Sequence, residues 1–406
     1  MPASVVIAGA GQAGLQVSAS LRQAGYDGGI VLINDEAGLP YQRPPLSKTY
    51  LKDGRSERLL LRIAAFYDKN RIELLDQIRV ERIDRRARSV ALSDSRTLRY
   101  GHLVLATGAR NRKPPIEGLE LQNVVELRTL AHAAAIRRHV REKSRAVIIG
   151  GGFIGLEFAA VATAMGMDVT VIEAATRVMA RIVSEPVSRY FADFHAGIGV
   201  RLELGVLAER VIGDADGRAC AVELADGRSV DCDLVLIAAG VVPNDELAAE
   251  AGLATGNGII VGNTLSTDDP AISAIGDCAA YVHPFAGRRI RLESVQNATD
   301  QAKCVAARLT GSPHAYEALP WFWSDQGDRK LQIAGLTDTA DDLVAIRGED
   351  GRLCVHCFRG GQYIGLESVN APGDHMMARK TLAGGKHLSR QDLEKTGFDL
   401  RVFRDR

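Results

Sequence analysis

A glycine pattern that occurs twice constrains this chain more than any other feature of its sequence. Near the start, the apolar run 5–8 leads into Gly9, Gly11 and Gly14, which have G-x-G-x-x-G spacing. Apolar residues that recur every four positions after this first glycine turn predict a helix. In such strand–turn–helix units the glycines make a tight turn, admit a pyrophosphate and let the helix pack on the strand. The stretch therefore predicts a dinucleotide site at the helix N-terminus, whose dipole favours anions.

The same pattern returns after the run 145–149, which is apolar beyond Arg145, as a second glycine turn at Gly150, Gly152 and Gly155. In each copy a second predicted strand ends at an acidic residue. Asp35 lies 21 residues after Gly14, and Glu173 lies 18 residues after Gly155. A carboxylate at this spacing can accept hydrogen bonds from adenosine ribose hydroxyls. One such motif is a weak indication, but two with the full context predict a chain that binds two dinucleotides.

The acid of the second copy bears on which pyridine nucleotide is bound. Glu173 would accept hydrogen bonds from a ribose 2′-hydroxyl and repel a 2′-phosphate. At about 4 Å and an effective dielectric near 20, that repulsion is on the order of 4 kcal/mol per unit charge. Ala174 stands where an NADP site would have arginine, although Arg177 lies nearby. The pattern favours NADH over NADPH.

Length and charge exclude several classes of protein. The 406 residues are too many for one compact core, so two or three domains are expected. Lys plus Arg equals Asp plus Glu, at 50 each, which argues against nucleic-acid binding driven by counterion release. There is no signal-peptide pattern and no apolar run long enough to span a bilayer, so we expect a soluble cytoplasmic protein with no membrane partner.

The order of predicted elements indicates an α/β protein in which the second nucleotide unit is inserted into the first. Ala106, Thr107 and Gly108 end one strand of the first unit, and the strand ending at Gly240 repeats that shape. Segments 110–115 and 241–244 would be the outward and return crossings. We therefore predict a discontinuous first domain at 1–112 and 244–320, an inserted domain at 113–243, and a C-terminal α+β domain at 321–406.

Two charged segments are expected to face solvent. Residues 82–88 are predicted as a hairpin tip, and residues 131–143 as a helix with a solvated face rich in arginine and histidine. The loop 39–48 is stiffened by prolines, and its Arg43 and Lys48 make a binding role at least as plausible as a connecting one.

Cysteine placement argues against thiol chemistry. Residues 15–219 contain no cysteine, whereas flavin disulphide reductases carry a redox pair close behind the first nucleotide unit. Cys354 and Cys357 form the one C-x-x-C, in a strand-like run that would send the two side chains to opposite faces. No spacing typical of a metal site is found.

Several motifs together resemble one family. They are the two glycine turns, 43–48 (RPPLSK), 106–108 (ATG), 276–277 (GD), 293–298 (ESVQNA) and 321–326 (WFWSDQ). In this order they resemble the bacterial FAD-dependent NADH:ferredoxin reductases of oxygenase systems, such as putidaredoxin, rhodocoxin and palustrisredoxin reductases. The resemblance covers nearly the whole chain. It implies a glutathione-reductase-type flavoprotein with two Rossmann-like nucleotide-binding domains and a C-terminal α+β domain.

The resemblance assigns FAD to the first unit and NADH to the second. It implies that Asp35 holds the FAD adenosine ribose, that Asp277 binds the ribityl chain, and that Val295 offers its backbone to the flavin pyrimidine. Lys48 would lie near the reactive part of the flavin. The full set of FAD residues implied is Gly9, Gly11, Gly14, Asp35, Arg43, Lys48, Val80, Ala106, Thr107, Gly108, Arg128, Gly276, Asp277 and Val295.

The resemblance also names the residues of the NADH side. The implied NAD contacts are Gly150, Gly152, Gly155, Glu157, Glu173 and Gly240. Glu157 would lie beside the nicotinamide and pair with Lys48 across the flavin, and Trp323 would lie near the flavin edge where electrons leave. Lys48, Glu157 and Trp323 are therefore the predicted catalytic residues.

The activity implied is hydride transfer from NADH to FAD, followed by single electrons to a small acidic [2Fe–2S] ferredoxin that feeds a haem monooxygenase or a ring-hydroxylating dioxygenase. The protein would be a monomer or weak dimer. A local basic patch is expected for docking, with candidates Arg288, Arg289, Arg291, Lys303, Arg329 and Lys330. Two alternatives stay open: an NADH oxidase that uses oxygen, and a redox-sensing interaction protein similar to apoptosis-inducing factor.

Overall fold

The computed structural model describes residues 4–349 and 351–403 of the chain. Contacts separate two units, each made of segments that are distant in sequence. The first comprises the chain up to Gln42, Glu57–Arg110 and Val241–Ala318; the second comprises Arg43–Ser56, Asn111–Gly240 and the chain from Leu319. Segment 43–56 is thus grouped with the second unit, whereas the sequence placed it in the first domain. The predicted domain boundaries stay predictions.

A five-stranded parallel sheet organises the first unit. Its strands, in spatial order, are Ile272–Ala274, His102–Leu105, Val5–Ala8, Ile30–Ile33 and Ile72–Leu75. The central strand Val5–Ala8 is buried along its whole length, as expected for a parallel strand covered on both faces. It ends at the first glycine turn, so the carboxyl edge of this sheet is where the predicted site lies.

The remaining elements of the first unit surround that sheet. The helices are Gln12–Gln23, Ala64–Lys69, Glu246–Glu250 and Val295–Leu309, with a 3-10 turn at Gly276–Cys278. The short sheets are Val80–Asp84 with Ser89–Leu92 and Thr97–Arg99, Ile259–Ile260 with Ala279–His283 and Arg288–Ile290, and Ala109–Asn111 with Val241–Pro243. The helix Gln12–Gln23 packs along Val295–Leu309, which brings two distant predicted FAD segments together.

The second unit contains a parallel sheet of the same order. Its strands are Arg201–Leu204, Asp168–Glu173, Arg145–Ile149, Leu234–Ile237 and Val124–Glu126. The strand that ends at the second glycine turn, Arg145–Ile149, is again central. It lies between the strand that ends at the predicted acid and the strand that ends before Gly240, as the repeated pattern predicted.

The C-terminal part of the second unit is an antiparallel sheet. Its strands, in spatial order, are Trp321–Gln326, Arg329–Gly335, Gln362–Val369, Leu353–Arg359 and Asp342–Arg347. The helix Pro372–Ala383 packs on this sheet and buries Met377 and Leu382. The predicted α+β character of this region is confirmed.

Other elements of the second unit connect these sheets. The helices are Thr49–Asp53, Leu130–Arg137, Phe153–Ala164, Glu185–Gly197 and Arg390–Glu394; 3-10 turns are Pro44–Ser47 and Leu400–Phe403; a small antiparallel sheet is Ala208–Gly213, Ala219–Leu224 and Ser229–Asp231. One further 3-10 turn, Ser56–Leu59, crosses the boundary between the units. Within the described residues, none of the helices is both long and apolar enough to cross a membrane.

The predicted hairpin tip at 82–88 is wrong in its first half. Residues 82–84 belong to the strand Val80–Asp84, and the turn begins at Arg85. Arg85 is held rather than solvated: its Nε donates to Asp269 Oδ2 at 3.0 Å and its Nη1 to the Gly252 carbonyl at 2.9 Å. The charge of the segment concealed a strand because three of its five residues, Glu81, Arg82 and Asp84, face solvent.

The predicted helix at 131–143 is shorter than expected and is not uniformly solvated. It spans Leu130–Arg137, with Thr129 accepting a hydrogen bond at its N-terminus from the His132 amide. Arg137 Nη1 donates to the carbonyls of Tyr50 and Leu51, at 2.7 and 2.8 Å. That arginine therefore caps carbonyls of the helix Thr49–Asp53, a long-range contact that helical periodicity cannot reveal.

Candidate active site

The first glycine turn has the geometry that its spacing predicted. Gly9 has a φ of +106°, and a Cβ there would lie 2.3 Å from the Ala106 carbonyl oxygen. A Cβ on Gly14 would lie 1.9 Å from the Gly9 carbonyl oxygen. A Cβ on Gly11, in contrast, would meet no atom within 4 Å. The outer two glycines are therefore required by packing, and the middle one leaves open space beside the helix N-terminus.

Three predicted FAD residues from later in the sequence, Gly276, Asp277 and Val295, belong to segments that pack against the first glycine turn and its helix. The Gly276 amide donates to Gln301 Oε1 at 2.7 Å, and a Cβ on Gly276 would lie 3.1 Å from the Cβ of Ala13. Val295 is the first residue of the helix Val295–Leu309, so its amide is one of the donors that a helix start leaves unpaired within the helix. Asp277 is partly exposed, and its carbonyl accepts from Arg291.

The segment that follows the strand His102–Leu105 is tied to the return crossing. Thr107 Oγ1 donates to the Asn244 carbonyl at 2.6 Å, and Asn244 Nδ2 donates back to the Thr107 carbonyl at 2.9 Å. The Asn244 amide also donates to the carbonyl of Gly108, which has a φ of +68°. The segment 106–108 is therefore fixed by the crossing that the sequence placed at 241–244.

Two predicted FAD residues of the first unit occupy different environments. Asp35 is exposed beyond the carboxyl end of the strand Ile30–Ile33, with its carboxylate accessible to a ligand. Val80 begins the strand Val80–Asp84 and is buried in the core of the unit. The role of each stays a prediction.

The second glycine turn repeats the geometry of the first. Gly150 has a φ of +117°, and its Cβ would lie 2.4 Å from the Ala238 carbonyl oxygen. A Cβ on Gly155 would lie 2.2 Å from the Gly150 carbonyl oxygen, while a Cβ on Gly152 would meet nothing within 4 Å. Gly240 has a φ of +90°, and a Cβ there would lie 3.2 Å from Nη2 of the exposed Arg181.

Glu173 is bound to the second glycine turn. Its Oε2 accepts from the Gly151 amide at 2.7 Å, and its Oε1 accepts from the Ala175 amide at 2.8 Å. Arg177, which the sequence left as a candidate for a 2′-phosphate, donates instead to the carbonyls of Val183 and Ala180, at 2.8 and 2.7 Å. The negative charge of Glu173 is thus held at the second glycine turn, and the Arg177 guanidinium is engaged with two backbone carbonyls.

The predicted catalytic pair is directly bonded within the second unit. Lys48 Nζ donates to Glu157 Oε2 at 2.8 Å, and the same oxygen accepts from Ser47 Oγ at 2.5 Å. The other oxygen, Oε1, accepts from Ser324 Oγ at 2.7 Å. The Glu157 side chain is 4% exposed, so its negative charge is compensated by one ammonium group and two hydroxyl groups rather than by water.

The other two predicted FAD side chains of the second unit, Arg43 and Arg128, lie side by side. Arg43 Nη1 donates to the Arg128 carbonyl at 2.6 Å. Arg43 immediately precedes the 3-10 turn Pro44–Ser47, whose two prolines fix the backbone that presents Ser47 and Lys48. The arginine pair adds positive charge to the segment that carries Lys48.

Trp323 lies on the face of its strand opposite to Ser324. Its ring centroid is 5.5 Å from that of Trp321, and Arg379 stacks over Trp321 at 4.2 Å. Phe322, on the Ser324 face, packs against Phe153 of the second glycine turn helix, with centroids 4.6 Å apart. The predicted electron-exit role of Trp323 stays a prediction.

Sequence reasoning missed the polar residues that contact the Glu157 carboxylate and those that support these contacts. Ser47 and Ser324 bond directly to its carboxylate, and Gln326 and His195 continue the contact outward from Ser324. A signal was present in the strand Trp321–Gln326: its alternate residues Ser324 and Gln326 are both polar, and both are fully buried. Two polar residues on one buried strand face require partners, because unpaired buried polar groups are costly.

All six cysteines are free thiols. Burial raises the pKa of Cys232 and of Cys354 to about 12, and it raises the pKa of Cys278, Cys304 and Cys357 as well. Cys354 packs against the cluster that contains Met377 and Leu382 of the helix Pro372–Ala383. Cys357 is fully buried and is not part of that cluster. These thiols are poor sources of thiolate, the form that attacks a disulphide.

The two turns fit dinucleotides on structural grounds. In both, the middle glycine faces open space at a helix start, where backbone amides can meet a pyrophosphate. In both, a carboxylate lies at the end of the adjacent strand region, exposed in Asp35 and partly exposed in Glu173. The open space, amide donors and carboxylates together match the phosphate and ribose groups of a dinucleotide.

Comparison with known families agrees with this geometry. A family model described as pyridine nucleotide-disulphide oxidoreductase matches residues 3–302, and one described as reductase C-terminal matches residues 321–404. The chain belongs to the pyridine nucleotide-disulphide oxidoreductase family and is an FAD-dependent enzyme that uses a pyridine nucleotide. The predicted fold class is confirmed.

Individual relatives narrow the class to ferredoxin reductases. Rhodocoxin reductase of Rhodococcus erythropolis is 49% identical over 404 residues, covering 98% of this chain and 94% of the relative. The crystal structure of the ferredoxin reductase for the CYP199A2 system from Rhodopseudomonas palustris has a TM-score of 0.95 and 50% identity, covering 99% of both chains. The covalent putidaredoxin reductase–putidaredoxin complex has a TM-score of 0.95 and 37% identity, covering 98% of this chain and 97% of that chain. The resemblance drawn from the motifs is confirmed.

Proposed function

We propose that this chain is an NADH-dependent reductase of a small [2Fe–2S] ferredoxin that supplies a haem monooxygenase or a ring-hydroxylating dioxygenase. The observation that carries the proposal is the ion pair between the partly exposed Lys48 and the buried Glu157, held in the same unit as the glycine turn that Glu173 contacts. The names of the relatives support the ferredoxin as acceptor, since each is a reductase of a small redox protein or of an oxygenase system.

FAD would be held by the first unit through the open side of its glycine turn, the exposed Asp35, and the helix start at Val295. The family resemblance also assigns Arg43 and Lys48 to FAD. When bound, FAD accepts the hydride of NADH and can release the two electrons singly, as a one-electron iron–sulphur acceptor requires.

NADH would be held by the second glycine turn. Glu173 keeps a negative charge at the turn and would accept the ribose hydroxyls, whereas a 2′-phosphate would meet like charge. The guanidinium of Arg177 donates to two backbone carbonyls and is therefore occupied. Both features favour NADH, and Glu157 would meet the nicotinamide end with its carboxylate already fixed by three donors.

The thiols of the chain support an external acceptor. Five of the six have a pKa raised by burial, so they cannot readily form the thiolate that disulphide relay chemistry needs. Electrons delivered by NADH would therefore leave to a separate protein. We also propose a cytoplasmic location, where NADH is available, and a monomer or weak dimer as the working state.

Charge would steer an acidic ferredoxin to exposed basic side chains. Arg288, Arg289 and Lys330 are exposed, and the Lys303 side chain is 59% exposed beside Asp300. Arg291 does not belong to such a patch: its side chain is 7% exposed and bonds to Glu293 and to the Asp277 carbonyl. Turnover with ferredoxin should fall steeply as salt rises, while reduction of the enzyme by NADH alone should change little.

The test is an anaerobic titration of the purified yellow protein. One equivalent of NADH should bleach the visible flavin absorbance, NADPH should bleach a fresh sample far more slowly, and added oxidised [2Fe–2S] ferredoxin should restore the colour as it is reduced. Bleaching without transfer to any ferredoxin, together with rapid oxygen consumption, would instead establish an oxidase. A slowly reoxidised complex that dimerises with NADH would establish a redox sensor.

A further inference from the structure

A chain of buried polar side chains runs from His195 to the carboxylate of Glu157. His195 Nε2 lies 2.8 Å from Gln326 Oε1, and Gln326 Nε2 lies 3.3 Å from Ser324 Oγ, which bonds to Glu157 Oε1 at 2.7 Å. The first three residues are fully buried and Glu157 is 3% exposed. Solvent therefore cannot substitute for any link in the chain.

In the series from His195 to Glu157, every hydrogen bond is donated in the direction of Glu157. Gln326 Nε2 also lies 3.5 Å from the sulphur of Met179, so the amide nitrogen faces two acceptors and its oxygen faces His195. That oxygen can only accept, so the His195 Nε2 must carry the proton. Burial lowers the pKa of His195, which keeps its ring neutral. The Ser324 hydroxyl accepts a hydrogen bond from Gln326 and donates its own hydrogen bond to Glu157.

We propose that Ser324, supported by Gln326 and His195, is a positioning residue. It would hold the Glu157 carboxylate in the orientation in which that group meets the nicotinamide. The proposal rests on the proposed function, because it acts through the role given there to Glu157. Lys48 and Ser47 both bond to Oε2 and so fix one end of the carboxylate. Ser324 bonds to Oε1 from a different segment and so fixes its rotation.

The direction of the donors gives the chain a second effect. Each member donates toward Glu157, and such runs polarise one another. The last hydroxyl therefore donates more strongly than an isolated serine would, and it donates to the charged form of the acid. The strand Trp321–Gln326 of the C-terminal sheet thus supplies part of the environment of a residue on the helix Phe153–Ala164.

The main variant is Ser324→Ala in the full-length, FAD-loaded enzyme. We expect the rate of anaerobic flavin reduction by NADH, followed by stopped-flow absorbance, to fall about 10-fold, the size expected for one hydrogen bond to a charged group. Calorimetry on the oxidised enzyme should show NAD⁺ binding weakened about 5-fold. Gln326→Leu should give a smaller loss of the same kind, because it removes support one step further away.

Ser368→Ala is the matched control. Ser368 is also fully buried in the same sheet, and its hydroxyl donates to the Gln332 carbonyl at 3.1 Å. The substitution removes one buried serine hydroxyl bond without a path to Glu157. Both quantities should match the unsubstituted enzyme. An equal loss in Ser324→Ala and Ser368→Ala would overturn the proposal, because it would trace the effect to the packing of the sheet.

A double variant shows whether Ser324 acts through Glu157. Glu157→Ala alone should slow reduction about 100-fold. Adding Ser324→Ala should then cost nothing further, since the carboxylate it positions is gone. A slow Glu157→Ala with a normal Ser324→Ala overturns the positioning proposal alone. A Glu157→Ala variant that NADH reduces at the normal rate overturns the proposed role of Glu157 and this inference with it. Undiminished loss from Ser324→Ala in the Glu157→Ala background overturns the inference only.

Discussion

The two glycine turns of this protein are alike in backbone and unlike at the acid. Gly9 and Gly150 have φ values of +106° and +117°, and both back onto the end of a neighbouring parallel strand. Strand register, however, pairs Ala8 with Ile33 and Ile149 with Ile172. The counterpart of Glu173 is therefore Asn34, and Asp35 lies one residue further along.

This difference follows from one residue inside each turn. The second turn has Gly151 where the first has Ala10, and a Cβ on Gly151 would lie 3.2 Å from both Cβ and Oε2 of Glu173. The glycine lets the carboxylate reach the turn amide. In the first unit, Asn34 is buried and donates to the carbonyls of Glu36 and Gly38 in its own loop. The comparison shows that the two turns share one backbone geometry, while the residues next to each turn decide where its acidic side chain lies.

The largest effect is expected where the two turns agree. Gly14→Ala and Gly155→Ala place a Cβ 1.9 and 2.2 Å from a backbone oxygen, which side-chain movement cannot relieve. Each should lower the free energy of unfolding by about 3 kcal/mol, measured by urea denaturation. Gly11→Ala and Gly152→Ala are the controls; they should cost less than about 1 kcal/mol and still weaken dinucleotide binding. Equal stability loss at all four positions would contradict the packing explanation.

The next effect is expected where the turns differ. Glu173→Ala should lower the preference for NADH over NADPH about 100-fold, because a repulsion of a few kcal/mol at the 2′-position is removed. The measurement is kcat/KM for both donors with a ferredoxin or an artificial acceptor. Asp35→Ala should leave that preference unchanged and loosen FAD instead. If Asp35→Ala changed the donor preference, the nucleotides would be assigned to the wrong units.

A third difference lies in the third strand of each fold, where His102 in the first unit corresponds to Leu234 in the second. Burial, and then the charge of Arg308, lower the pKa of His102 to about 3. Below its unfolded pKa of about 6.5 the unfolded chain binds a proton that the folded chain rejects, so stability falls as pH decreases. Between pH 7 and pH 5, His102 should account for about 2 kcal/mol of the fall in the free energy of unfolding. His102→Leu should abolish that part of the fall.

The check on His102→Leu is a pair of urea denaturation series across that pH range, with the slope of stability against pH compared between the two proteins. The variant also loses the contact of His102 with Ser273, at 2.8 Å, so the difference at pH 7 alone is uninformative. Parallel slopes would show that His102 is not responsible for the acid sensitivity.

The smallest effect on nucleotide binding is expected from exchanging the residue that differs between the two turns, Ala10 in the first and Gly151 in the second. Gly151→Ala should raise KM for NADH about 3-fold by moving Glu173 away from the turn amide, a change of about 0.7 kcal/mol. Ala10→Gly, the reverse change in the first turn, should leave FAD content unaltered because Asn34 is engaged in its own loop. A larger effect from Ala10→Gly than from Gly151→Ala would reverse the comparison.

The elements that could be predicted from the sequence are those set by local rules. The strands Val5–Ala8 and Arg145–Ile149 are bounded as predicted, because each is a short, largely apolar run that a glycine turn ends. The first half of the segment 82–88 was misassigned because most residues of the strand Val80–Asp84 are exposed, as they would be in a turn. The helix near 131–143 was predicted too long, since it ends at Arg137.

The site divides in the same way. Sequence patterns determined both glycine turns and Glu173, since turn sterics and strand length act within some 30 residues. They placed an acid at the end of the second strand in both copies, and strand register shows that Asp35 lies one position beyond the counterpart of Glu173. Lys48 and Glu157 were identified through family resemblance, and their direct bond required the fold.

By itself the sequence determined where backbone must turn without a side chain, because that requirement is local and steric. The tertiary structure decided which polar groups share the buried space around Glu157. Ser47 and Ser324 lie 110 and 167 residues from it in sequence, so no spacing rule connects them. Their contact depends on how the strand Trp321–Gln326 and the loop at 44–48 pack on one helix, and burial makes those bonds obligatory once packing has occurred.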